Sequence, residues 1–136
     1  MNLILPDYLN TLNNQQKEAV LHTEGPLLIL AGAGSGKTKV LTTKVTHLIE
    51  TKQCFGSQIL CVTFTNKAAN EMRDRVAKLT RSNSNAIPWL GTFHSISNKI
   101  LRKYAESVGL KPSFTILDTL DPVSYTHLTL PTKRIV

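Results

Sequence analysis

The sequence predicts an α/β fold in which a parallel sheet is flanked by helices. Three observations predict it: short apolar runs without alternation, helical stripes of apolar residues after them, and a glycine-rich turn at the first junction. A strand buried on both faces has no polar side, so its run is unbroken, as strands of parallel sheets read. Helices between such strands imply right-handed crossovers, with ligands at the carboxyl ends of the strands. At 136 residues and 41% hydrophobic, the chain is long enough for one compact domain and too short for two ordinary ones.

The elements follow in order. Residues 14–21 form a short helix that Asn13 or Asn14 is able to cap. Pro26 opens an apolar run over residues 27–31, read as the first buried strand. Past the glycines, Val40, Leu41, Val45, Leu48 and Ile49 recur at helical spacing. Residues 59–64 give a second buried strand, and Ala69, Met72, Val76 and Leu79 form the stripe of the helix after it. Residues 89–93 suit a third, short strand; the next helix has Ile96, Ile100, Leu101 and Tyr104 on one face and Gly109 as its stop. Residues 114–117 suit a fourth strand. There is no internal repeat and no low-complexity segment.

The formal net charge is +7, and a surplus of Lys and Arg attracts anionic partners. Its position says more than its sum. Residues 1–66 carry five basic against four acidic side chains, residues 67–111 nine against three, and residues 112–136 two against two. The excess therefore lies downstream of the glycine-rich turn, as either a solvated basic surface or a nucleic-acid contact. Cys54 and Cys61 have no zinc-site spacing, and Cys61 inside an apolar run reads as a buried reduced thiol. The first residues lack the pattern of a secretory signal, and the run at Leu27 to Leu30 is far shorter than the ~20 apolar residues of a membrane span. The expectation is a soluble, cytoplasmic protein with no membrane partner.

Ala31-Gly32-Ala33-Gly34-Ser35-Gly36-Lys37-Thr38 matches the Walker A pattern, with Ala31 at the first glycine position. Backbone N–H groups must converge on the β- and γ-phosphates at a helix N-terminus, and small residues let the chain come that close. Lys37 supplies a mobile cation to the phosphates and is the candidate catalytic residue, while the Thr38 hydroxyl is placed to coordinate Mg²⁺. The motif identifies a phosphate site for a nucleoside triphosphate, ATP before others, and not a reaction. A glycine-rich turn that merely precedes Lys-Thr is the bland alternative; the strand-turn-helix context argues against it.

Leu12-Asn13-x-x-Gln16-x-x-Ala19-Val20, the Walker A segment, Thr63-Phe64-Thr65-Asn66-Lys67-Ala68-Ala69-x-Glu71-Met72 and Gly91-Thr92-Phe93-His94-Ser95 stand in this order. Together they resemble four motifs of superfamily 1 DNA helicases of the UvrD/Rep/PcrA type, from Leu12 to about Asp121. The resemblance implies a RecA-like P-loop NTPase sheet, incomplete here, as the first ATP-binding domain over residues 1–121. It implies ATP and Mg²⁺ as cofactors, single-stranded DNA as partner, and unwinding from 3′ to 5′ coupled to ATP hydrolysis. Gln16 matches the glutamine whose amide reads adenine, since an amide offers donor and acceptor side by side. Lys39 stands where the family usually has Arg, which puts a bidentate or stacking contact to the nucleotide in doubt. Phe64, Thr65 and Asn66 match a segment touching single-stranded DNA, the ring stacking on a base while hydroxyl, amide and helix N–H groups hold phosphate. Thr92 and His94 match a second contact to the strand. Taken singly, Phe64 reads as core, Gln16 as a surface residue and His94 as structural or surface.

Asn66-Lys67-x-Ala69 lacks the carboxylate that reads guanine, and Asp118 is followed by Thr119 rather than a water-orienting Glu. No Asp-Glu pair occurs anywhere, nor an arginine matching the one that reaches the γ-phosphate from a second motor domain. The expectation is an enzyme's amino-terminal piece that is inactive by itself. The alternative is a stand-alone, non-catalytic ATP-binding or strand-binding module; a small-molecule P-loop kinase lacks a recognisable lid. Residues 122–136 do not continue the resemblance and read as the product of a frame error or a translated cloning linker, or as a divergent loop with a short strand. Oligomeric state is not legible.

Overall fold

The computed structural model describes residues 6–83 and 85–116. Its chain divides into two units, Met1–Ser97 and Asn98–Val136. The first begins with one turn of helix, α1 (Asp7–Asn10), and with α2 (Asn14–Leu21). Asn13 caps α2 through a reciprocal capping box: its side chain accepts from the Gln16 N–H while the Gln16 side chain accepts from the Asn13 N–H. α3 (Lys37–Glu50) follows the glycine-rich loop, then β1 (Leu60–Thr63), α4 (Asn66–Thr80), β2 (Trp89–Thr92) and α5 (Phe93–Lys103). α5 runs on into the second unit, where a 3₁₀ turn (Ala105–Val108) ends at Gly109 with φ 74°. Gly109 thus stops the element after α5 rather than α5 itself.

β1 and β2 pair in parallel, Leu60 with Trp89 through Thr63 with Thr92, with α4 as the crossover. The predicted parallel pairing is therefore present, in a sheet of two strands among the described residues. Val45, Cys61, Ala69, Met72, Val76, Ile87 and Leu90 form one core, and Leu9, Leu12, Val20 and Val40 a second under α1 and α2. Cys61 is buried and free, and burial pushes its thiol pKa up. Gly56 is required by close approach, since a Cβ there would meet the Ala86 carbonyl oxygen at 2.0 Å.

Four expectations need correction. Residues 27–31 form no strand; Leu28 and Leu30 are 81% and 86% exposed. A strand exists only through its ladder, and among the described residues none lies beside this run, so its apolar composition has nothing to bury against. Residues 114–116 likewise form no strand, and Leu117 lies outside the described residues, as do residues 122–136. The stripe on α5 is buried only at Ile96, with Ile100 and Leu101 exposed, as is Tyr104 just past its end. On α3, Leu41 is exposed while Thr42, Thr43 and Thr46 are buried beside Val40 and Val45. Thr42 and Thr46 donate to the carbonyls of Thr38 and Thr42, each at 2.9 Å, so their burial strands no hydroxyl.

Candidate functional site

The glycine-rich loop turns on two left-handed residues, Gly34 at φ 75° and Gly36 at φ 82°. Such φ values strain any L side chain, which is why the turn needs glycine there. Ser35 closes it by donating both its N–H and its hydroxyl to the Gly32 carbonyl. Gly36 is the N-cap of α3, and no side chain caps that helix. In contrast, Asn13 caps α2, Thr65 caps α4 through the Ala68 N–H at 3.1 Å, and the Thr92 hydroxyl accepts from the Ser95 N–H at 3.1 Å at the start of α5. The first turn of α3, the end that carries the positive pole, thus has no side-chain cap for its donors. Lys37 and Thr38, the first two residues of α3, are both exposed there.

Gln16 lies against this loop. Its Nε2 donates to the Ser35 carbonyl at 3.2 Å, and a Cβ on Gly36 would stand 3.0 Å from the same nitrogen. Oε1 accepts from the Asn13 N–H, so each end of the amide keeps one further hydrogen-bonding position. A cavity of about 260 Å³ is lined by Asn13, Gln16, Ala31, Ser35, Lys37 and Val40 among others. The first two predicted motifs thus meet at one place. Lys39 does not point into it, because its Nζ donates to the Thr11 carbonyl at 2.6 Å. Ala31, Gly32 and Ala33 lead into the turn and are exposed. Among the described residues, no group of three or more His, Cys, Asp or Glu side chains converges on a metal-sized position.

The second grouping lies at the carboxyl end of the sheet. Phe64 follows β1 and is 91% exposed, which excludes the core reading of that ring. Phe93 follows β2, and because the strands are paired in parallel the two rings come side by side, centroids 5.3 Å apart and planes tilted by 47°. Sequence reasoning took Phe93 as the end of a strand and gave it no role. The signal available was its place as the last residue of the third expected strand, matching Phe64 as the last of the second. Thr65 and Asn66 open α4 beside Phe64, and His94 is exposed on the first turn of α5. Thr92 is buried, with its hydroxyl held within that turn. Arg73 links the elements behind this edge, donating from α4 to the Leu90 carbonyl of β2 at 2.8 Å.

Comparison with known proteins places the chain in a family. The model of the UvrD/REP helicase N-terminal domain matches residues 12–135. The chain is 53% identical over 110 residues to the ATP-dependent DNA helicase PcrA of Leuconostoc citreum, covering 81% of this chain and 15% of that protein. It is 47% identical over 127 residues to PcrA of Staphylococcus aureus, covering 93% of this chain and 17% of the relative. The chain thus spans about a sixth of the length of such relatives. With the family model running through both the glycine-rich loop and the sheet edge, the chain belongs to the UvrD/REP helicase N-terminal domain family.

Proposed function

We propose that this chain supplies the ATP-phosphate site and a single-stranded DNA contact of an ATP-dependent helicase that moves 3′ to 5′. In this reading, residues 1–121 belong to the first RecA-like motor domain. The observation that carries it is the seating of Gln16 on the loop whose helix start has no side-chain cap. Residues 32–36 suit a polyphosphate: small side chains, left-handed glycines and an open helix N-terminus form a cradle that an added Cβ at Gly36 would begin to fill. Lys37 pairs with phosphate charge, and the spare donor and acceptor of Gln16 face an adenine edge. The Thr38 hydroxyl is a hard oxygen donor suited to Mg²⁺, which when bound neutralises charge developing on the phosphates. Lys39, occupied by Thr11, leaves the base to Gln16.

Phe64 and Phe93 offer stacking faces to successive bases, and Asn66 and His94 add polar contacts to the strand. Thr65 and Thr92 act by capping the helices that begin there. Titration with ATP and with a short single-stranded oligonucleotide tests the reading. The wild-type chain binds both, and Lys37→Ala lowers ATP affinity about tenfold or more while leaving DNA affinity unchanged. Equal ATP affinities for the two forms would remove the phosphate-site assignment.

A further inference from the structure

We propose that Lys44 is a positioning residue for base recognition, holding α2 so that Gln16 faces the glycine-rich loop; the proposal rests on the reading of Gln16 as the base contact. α2 has eight residues and buries fully only Val20, too little length and packing to fix such a helix by itself. Its last carbonyls have no partner within the helix, and it has no basic residue in its last turn to answer the negative pole. The cation comes from α3 instead. Lys44 Nζ donates to the Ala19 carbonyl at 2.9 Å and to the His22 carbonyl, closing the carboxyl end of α2. The ammonium is half-buried, and burial lowers its pKa, as expected of a charge drawn into an interface. Lys39, also on α3, holds the Thr11 carbonyl just ahead of the amino end.

α2 is therefore fastened at both ends to the helix that starts at Lys37. Releasing Lys44 frees α2 to shift its Gln16 amide against the base. The loop N–H groups, Lys37 and Thr38 belong to α3 and its approach, so they stay where they are. The expected loss is selective for the base.

Binding of ATP, GTP and inorganic triphosphate to wild type, Gln16→Ala, Lys44→Met and Lys44→Arg tests this. Lys44→Met should lower the ATP-over-GTP preference about tenfold, as Gln16→Ala does, with triphosphate affinity retained and Lys44→Arg keeping the wild-type preference. If Gln16→Ala lowers the preference and Lys44→Met does not, the role of Lys44 is overturned alone. If Gln16→Ala itself leaves the preference intact, the base contact fails and Lys44 has nothing to position. A fall of equal size for all three probes in Lys44→Met would show a merely structural residue and overturn the proposal.

Discussion

An aromatic side chain that is 91% exposed just past β1, a strand that buries Cys61 and leaves Leu60 exposed, contributes little to folding, because its ring stays in water in both states. Phe64→Ala is therefore expected to leave the thermal midpoint essentially unchanged. Single-stranded DNA affinity should fall by about 1–3 kcal/mol, the worth of one stacked base. The slope of log affinity against log salt should be the same for both forms, since counterion release depends on the cations and not on the ring. Melts and DNA titrations at several salt concentrations check this together. A drop in midpoint that tracks the loss of binding would return Phe64 to the core. Lys39 shows the opposite case, a charged side chain beside the loop whose hydrogen bond is spent on backbone.

Among the elements, α1 is a single turn whose docking depends on Leu9 in the second core and on Tyr8. Tyr8 Oη lies 3.2 Å from His47 Nδ1, and the rings meet edge to face. Burial first, and then the Lys44 ammonium one helical turn away, push the His47 pKa below its ordinary value of 6.5. Burial first, and then Glu50, push Tyr8 up. The folded chain thus keeps His47 neutral where the unfolded chain has begun to bind a proton. The contribution to stability is present above pH 6.5 and is lost as pH falls from there toward the folded-state pKa. Urea melts between pH 5 and 8, roughly the range in which histidine titrates, should show stability declining on the acid side. His47→Gln should flatten that decline; a slope identical to wild type would show that other groups set it.

At the scale of the whole molecule, in-line attack on a γ-phosphate needs a positioned water, a second carboxylate near the metal and a cation at the γ-phosphate. The chain has no Asp-Glu pair to provide the carboxylates. We predict binding without turnover: the 136-residue chain hydrolyses ATP at background rate with or without single-stranded DNA and does not separate a duplex. Phosphate release and strand-displacement assays check this. DNA-stimulated hydrolysis abolished by Lys37→Ala would overturn it and turn attention to Asp118. Among the described residues, no helix is long and apolar enough to cross a membrane.

The sequence by itself determined the local chemistry. The glycine-rich turn before Lys37, a cap at Asn13 or Asn14, the helices that follow the loop and β1, and the parallel kinship of β1 and β2 follow from rules of turn chemistry, capping and periodicity. Its error at residues 27–31 has the same origin, since an apolar run states what a segment would bury and not whether a neighbour is there to pair with it. Only the tertiary structure decided which side chains meet. The approach of Gln16 to Ser35, the spending of Lys39 and Lys44 on α2 and its approach, and the pairing of Phe64 with Phe93 span 19 to 29 residues of chain. Those contacts are fixed by how α2 packs on α3 and how β1 aligns with β2, and no window of neighbouring residues contains that information.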